Sequence, residues 1–326
     1  MRCDEYDKDG SHSPKKISKA KTIEEDAIRR DLTINALYLD VLKNSLIDPF
    51  CGLIDLKKKT LRAIKDDIYA EDGVRILRLL RQSATLGFKI EKKTLQNAMN
   101  NTSKLENISG SRKREELLMM LAQAKKHKIN TNSFLMHSLN KFNKHKIWQE
   151  FYLPIDKIKY NLIKKAGDDC KFLALVIDIV QTVKPRNIER FLCEFLGETG
   201  LGFSAKDLQE ISNVVYGYID VTNRLCNKDF FFKYFVYFEK IQPLIKLYSL
   251  PLYKKYTFFF NYIKNNKIAI QTSDLCIRGA DIKREYPNIP QKRYGYILGE
   301  LLSKVFDGQI KNDKTELLKA VGAYDY

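Results

Sequence analysis

The chain has 326 residues, 44% of them hydrophobic and 11% aromatic, with 18 Tyr and 18 Phe, enough apolar material for two or three packed domains and too much for a disordered or fibrous chain. Fifty-seven Lys and Arg against 40 Asp and Glu leave a formal net charge of +17, which favours a polyanionic partner, nucleic acid before others, unless lysine is abundant in every protein of the source. No apolar run reaches the roughly 18 residues of a membrane span, and the polar start Met1-Arg2-Cys3-Asp4-Glu5-Tyr6 lacks the apolar middle of a secretory signal, so the expectation is no membrane contact and a cytoplasmic protein.

In chain order, residues 1–21 are polar, with Gly10, Ser11, Ser13 and Pro14 marking a turn. Thr22-Ile23-Glu24-Glu25 has the pattern of a capping box and predicts a short helix from Glu24 to about Arg30. Ile34–Val41 and Ser45–Ile47 flank Lys43-Asn44 and predict a hairpin, closed by Asp48-Pro49 and Gly52. From about residue 53 the periodicity is almost wholly helical, with segments over Glu71–Thr85 and Ser111–Lys126. A Lys/His/Asn-rich connector (125–146) then leads to aromatic helical runs, Asp229–Phe238 and Leu252–Ile263. The six cysteines (3, 51, 170, 193, 226, 276) show no metal-ligand spacing and read as reduced core thiols.

Two stretches carry chemistry. In Glu25-Asp26-Ala27-Ile28-Arg29-Arg30-Asp31-Leu32-Thr33-Ile34-Asn35, two arginines and an aspartate at a helix-to-strand junction can hold and orient a phosphate; equally, they can be cations satisfying a helix C-terminus. In Glu71-Asp72-Gly73-Val74-Arg75-Ile76-Leu77-Arg78-Leu79-Leu80-Arg81, positions 72, 75, 78 and 81 share one broad helix face. Such a face is either a solvated, ion-paired surface or a base reader. A carboxylate accepts from an exocyclic amine while a guanidinium donates to the neighbouring ring nitrogen or carbonyl. Cytosine and adenine both present that edge, so one Asp–Arg pair selects C and A together.

These stretches and what lies between resemble class II tRNA nucleotidyltransferases (CCA-adding enzymes) and their bacterial poly(A) polymerase relatives. The RRDxTxNAL block is Arg29 to Leu37, the IDPxxGxxDLxxxxLR block is Ile47 to Arg62, and the EDxxRxLRxxR block is Glu71 to Arg81. Ser111–Leu117 looks like the neck element that follows, and Ser273–Ile282 with Phe306–Asn312 resemble the tail of CCA-adding enzymes; residues 130–265 match only in being helical. The resemblance implies a mainly α fold with a small α/β part. A remnant of a nucleotidyltransferase head occupies 1–55, a helical neck with the nucleotide-reading motif 56–126, and a tRNA-gripping body and tail 127–326. It implies transfer of CMP and AMP from CTP and ATP to the tRNA 3′ end, with tRNA and nucleoside triphosphates as partners. Arg30 and Asp31 would engage the triphosphate and sugar, Asp72 and Arg75 would read the base, and Arg78 and Arg81 would add nucleotide or phosphate contacts. Arg29, Asn35, Asp48, Asp55 and Glu71 would support them. Gly73 stands where the family usually has proline, which removes a φ constraint but no side-chain contact.

One departure is larger. The family's head begins with a Gly-rich strand–turn–helix motif and a DxD pair that binds two Mg2+ ions, and neither is in this sequence; Asp7-Lys8-Asp9 reads as turn chemistry. The chain is therefore expected to be a family member lacking its first strands, inactive alone and without metal ligands of its own. The alternatives are a poly(A) polymerase, towards which Tyr38 after Asn35-Ala36-Leu37 leans while the tail leans away, or a non-catalytic RNA-binding half of a split enzyme. No His-Asp dipeptide, GxGxxG, P-loop lysine motif or GxSxG elbow occurs, and His137 and His145 have no ligand pattern around them and are expected at the surface.

Overall fold

A computed structural model describes residues 2–5, 16–122, 131–223 and 228–324, which fall into two compact units, Met1–Ser212 and Asn213–Tyr326. The turn expected around Gly10–Pro14, Asp7-Lys8-Asp9 and the end of the Ser111–Lys126 helix lie outside the described residues. The described strands form three two-stranded sheets; everything else in both units is helix and turn.

The first unit opens with β1 (Arg2–Glu5) antiparallel to β2 (Lys16–Lys19), Arg2 opposite Lys19. Helix α1 (Ile23–Ile28) is capped by Thr22, whose Oγ1 accepts the Glu25 N–H at 3.2 Å. The Glu25 carboxylate reaches back to the Lys21 N–H rather than to the cap residue, so the box closes one residue early. The strand expected from Ile34 begins only at Tyr38. Thr33–Asn35 forms a 3-10 turn instead, because the Thr33 N–H donates to the Arg62 carbonyl and its hydroxyl to Asp55 at 2.8 Å. The hairpin itself is present, β3 (Tyr38–Asp40) pairing with β4 (Ser45–Ile47), and Asn44 supplies a left-handed turn residue at φ 46°. Asp48 then starts α2 (Gly52–Lys57), its two oxygens accepting the Gly52 and Leu53 N–H groups at 2.7 and 2.9 Å. Gly52 is obligatory: a Cβ there would sit 2.3 Å from the Thr33 carbonyl oxygen.

Strand β5 (Thr60–Leu61) runs parallel to β6 (Lys89–Ile90), and between them lie α3 (Ile68–Glu71) and α4 (Val74–Leu86). One continuous helix over 71–85 is not what forms. Asp72 is extended (φ −149°, ψ 106°), its Oδ1 accepting the Val74 N–H at 3.0 Å, and Gly73 fits where a Cβ would meet the Lys104 carbonyl at 2.6 Å. The α4 apolar face, with Val74, Ile76, Leu77, Leu80 and Ala84 buried, packs on α6 (Gly110–Ala122) and α7 (Thr131–Lys144), after α5 (Lys92–Asn100). Helix α7 replaces much of the expected connector: Leu135, Leu139 and Phe142 recur at helical spacing and are buried, a signal masked by the surrounding Lys, His and Asn. Helices α8 (Lys171–Val183) and α9 (Ile188–Leu196) follow, and the boundary between the units falls within α10 (Ala205–Thr222); buried Asp178 on α8 accepts the N–H groups of Asn161, Leu162 and Ile163.

In the second unit α11 (Lys228–Tyr234), α12 (Phe238–Tyr248) and α13 (Leu250–Asn265) share an aromatic core, Phe230 against Tyr256 at 4.9 Å and Phe238 against Phe260 at 4.7 Å. The run expected as one helix over 229–238 breaks into a 3-10 turn at Phe235–Tyr237. Helices α14 (Gly279–Glu285), α15 (Tyr294–Phe306) and α16 (Lys314–Val321) close over Ile277, Ile282, Ile297, Leu301, Leu317 and Val321. The two tail motifs meet there, Asn312 accepting the Cys276 N–H and donating to the Asp274 carbonyl. The cysteine expectation needs correction: Cys170 is buried, but Cys51, Cys193 and Cys276 are exposed free thiols, too polar in surroundings to count as core. No helix among the described residues is long and apolar enough to cross a membrane.

Candidate nucleotide-binding site

The expected residues gather where α1 and the following turn meet α3 and α4. Asp26, 2% exposed, is the hub that the sequence reading passed over. Its Oδ1 accepts from Arg29 at 2.8 Å, and its Oδ2 accepts from Arg30 at 3.1 Å and from the Tyr38 hydroxyl at 2.8 Å. Arg30 also donates to the Asn35 carbonyl and lies 5.0 Å over the Tyr38 ring. Burial pulls the Arg30 guanidinium down, but Asp26 and Tyr38 more than offset it, so its pKa lies above the usual arginine value. The spacing of Asp26 three and four residues before the arginines was the available signal.

Asp31 follows at 7% exposure. Its Oδ1 accepts from the Leu32 N–H and from Asn35 Nδ2 at 2.9 Å. Its Oδ2 accepts no hydrogen bond, although buried, and faces Arg78 at 3.6 Å. The hydroxyl of Tyr69, a residue 1% exposed, is likewise unpartnered; burial and then the Asp31 charge push that phenol up. Unpaired buried polar atoms are uncommon and mark places where a ligand or water supplies the missing bond.

At the start of α4, Asp72 and Arg75 are 3% and 4% exposed, so the solvated-face reading fails for both. The Arg75 Nε lies 3.8 Å from Asp72 Oδ2, and its terminal nitrogens donate to Glu71 (3.2 Å), the Ile68 carbonyl and the Arg29 carbonyl (3.1 Å). Arg75 thereby ties α4 to the end of α1. Glu71 is shared with Lys65. Asp72 does not lie on the same helix face as Arg75, as the spacing suggested; it sits at the break before α4, and the side chains still meet there. Arg78 and Arg81 converge on Glu116 of α6, at 3.5 and 2.6 Å. Burial lowers the Arg78 pKa, and the charges of Asp31, Glu116 and Asp72 raise it further than that. Glu116 carried no signal in the sequence, being far from its partners along the chain. Asp48 and Asp55 stand apart from this cluster: one caps α2, the other accepts from Thr33 and pairs with Arg62 at 3.1 Å, so they build the turn that presents Asp31. No group of three or more His, Cys, Asp and Glu among the described residues is placed to hold a metal ion, so these residues do not fit a magnesium pair.

Profiles of known families match two segments: the "Poly A polymerase head domain" over residues 1–62 and the "Probable RNA and SrmB- binding site of polymerase A" over residues 87–129. The CCA-adding enzyme of Ligilactobacillus salivarius is 29% identical over 323 residues, covering 94% of this chain and 73% of that protein. Over nearly its whole length the chain is similar to class II tRNA nucleotidyltransferases. The CCA-adding enzyme of Streptococcus mutans is 46% identical over 101 residues, which are 30% of this chain and 25% of that one. Among solved structures, the Bacillus stearothermophilus CCA-adding enzyme in complex with CTP shares the fold with a TM-score of 0.72 at 17% identity, covering 95% of this chain and 76% of that one. The Thermotoga maritima CCA-adding enzyme complexed with tRNA matches with a TM-score of 0.58 at 20% identity, over 93% and 74% of the two chains.

Proposed function

We propose that the protein serves tRNA 3′-terminal CCA addition, with CTP and ATP as nucleotide donors. The terminal 3′-hydroxyl of the tRNA attacks the α-phosphorus, the bond to the β-phosphate breaks, and pyrophosphate leaves. The observation that carries this reading is the meeting of Asp72 and Arg75 at the α3–α4 break, in the same cluster as Asp31 and Arg78. A carboxylate beside a guanidinium complements the donor-beside-acceptor edge shared by cytosine and adenine. To read a base, Arg75 exchanges one of its present carbonyl contacts for the base edge. The open Asp31 Oδ2 accepts from a sugar hydroxyl, and Arg30, its side chain 36% exposed, takes a phosphate. Head to residue 55, neck to 126 and body with tail beyond is the division this reading assigns.

The test is incorporation of labelled CTP and ATP into tRNA lacking its terminus. It is run with the chain alone and with a Gly-rich strand and DxD segment supplied, fused or as a separate polypeptide. CMP followed by AMP transfer is the expected result in the supplemented reaction, and the chain alone is expected to be silent. Long AMP tails without CMP would instead support the poly(A) polymerase reading, towards which Tyr38 leans. Retained tRNA binding with no transfer in any arm would leave a non-catalytic RNA-binding protein.

A further inference from the structure

From Leu117 to Gln149 the sequence contains no Asp or Glu, yet it holds Lys125, Lys126, Lys128, Lys141, Lys144 and Lys146, and three of the chain's four histidines. The family's RNA-binding segment ends at residue 129, before α7 begins. His137, Lys141 and Lys144 on α7, and His145 directly after it with its N–H donating to the Lys141 carbonyl at 2.9 Å, are separated by three, four, seven or eight positions except for the adjacent last pair, which places all four within one broad face. The opposite face carries the buried Leu135, Leu139 and Phe142. Lys141 is itself only 9% exposed, and neither it nor Lys144 makes an ion pair among the described residues. The charged groups on the neighbouring elements are engaged elsewhere. Arg75 of α4 pairs with Glu71, Arg78 with Asp31 and Glu116, and Arg81 with Glu116. After α7, Lys146 pairs with Asp156, Lys113 donates to the Glu150 backbone carbonyl, and the Glu150 carboxyl is pushed up by burial and by Glu106 more than Lys113 pulls it down.

Four cations or would-be cations on one face, in a stretch without a carboxylate, repel one another. Burial and then Lys144 lower Lys141 to about 8. Burial and then Lys141 lower His137; burial, then Lys144 and Lys141, lower His145. An arrangement that disfavours its own charge in the free protein gains charge when an anion arrives.

We infer that this face of α7 binds the phosphate backbone of RNA, and that protonation of its two histidines tightens the grip. The inference rests on the RNA-binding part of the function proposed above and adds a specific face and a proton linkage to it. The sign follows from the free protein. Its histidines are depressed, a bound phosphate raises them, and binding therefore takes up protons. Affinity rises as pH falls through the histidine range, and it is lost as pH rises past about 8, where Lys141 gives up its proton in the free protein.

The experiment measures binding of tRNA and of poly(U) RNA to the chain at pH 5.5, 7.5 and 9, at two salt concentrations. The parent is compared with the double variant His137→Gln/His145→Gln, with Lys144→Gln and with Lys141→Gln, circular dichroism confirming the fold. The parent is expected to bind both RNAs roughly tenfold tighter at pH 5.5 than at 7.5, as added cationic contacts release counterions. The double histidine variant should lose most of that gain while binding normally at pH 7.5. Each lysine variant should lower the log–log salt slope by about one. If Lys141→Gln does not fold, Lys144→Gln, at an exposed position, carries the same test. An unchanged pH gain in the histidine variant together with an unchanged salt slope in Lys144→Gln overturns the inference and leaves CCA addition untouched. A parent gain on poly(U) that the double histidine variant loses, together with failed CMP transfer in the supplemented reaction, overturns the proposed function and leaves this face standing. A pH gain accompanied by a shift to dimers would make the face a contact between copies, and so contradict it.

Discussion

Asp26 organises the head side of the site because one carboxylate serves two guanidiniums and a phenol at once. Its substitution should therefore be felt in both stability and binding. Asp26→Asn keeps the volume but removes the charge that Arg29 and Arg30 share, and leaves the Tyr38 hydroxyl with a weaker acceptor. Breaking a buried pair from one side costs about 3 kcal/mol, and urea denaturation should show a loss of that order, with Arg30 no longer held over Tyr38. A loss under about 0.5 kcal/mol, the range of an exposed surface pair, would mean that the hub is solvated in solution. Tyr38→Phe removes only one of the three donors and should cost about 1 kcal/mol. The orphaned Asp31 Oδ2 is a different case. Within the chain it faces the Arg78 guanidinium at 3.6 Å but accepts no hydrogen bond, so its worth as an acceptor appears only when a ligand is bound.

At the scale of elements, glycine positions decide how closely the helices approach. A Cβ at Gly110, the start of α6, would lie 1.7 Å from the Gly200 carbonyl oxygen, whereas one at Gly299 in α15 would meet nothing within 4 Å. Gly110→Ala should destabilise the first unit by about 1–3 kcal/mol through overpacking. Gly299→Ala should stabilise α15 by about 0.5–1 kcal/mol through helix propensity alone. Thermal melts of the two variants should move in opposite directions, and a shift of the same sign in both would undo the packing argument. These elements also show what the sequence could and could not tell. The β3–β4 hairpin, α1, α6 and α13 were legible from periodicity and turn residues. The break between α3 and α4 was not, because it depends on Gly73 fitting against the distant Lys104 carbonyl, and Asp72 capping Val74 looks like any helical residue in a linear string. Helix α7 was hidden by its polar face. Arg30, Asp31, Asp72, Arg75 and Arg78 were singled out by resemblance to family motifs, and the structure pairs Asp31 with Arg78 and Asp72 with Arg75, but Glu116 was invisible because nothing local marks it.

For the whole molecule, the net charge of +17 is the property most directly open to measurement. An RNA-binding protein that neutralises several phosphates loses affinity steeply with salt, by about 1,000-fold between 50 and 200 mM for six contacts. A tRNA gel shift across that range should show such a slope; affinity that is flat in salt would mean that the charge reflects lysine-rich composition rather than a binding surface. The central claim is narrower, that Asp72 and Arg75 read the nucleotide base. It is tested most directly by equilibrium binding of CTP, ATP, GTP and UTP to the parent chain and to Asp72→Ala, Arg75→Ala and Arg30→Ala, each confirmed to be folded. The account predicts that the parent prefers CTP and ATP, that either template variant loses about 1–3 kcal/mol of that preference, and that Arg30→Ala weakens all four nucleotides alike. A preference for CTP and ATP that survives in both Asp72→Ala and Arg75→Ala would contradict it.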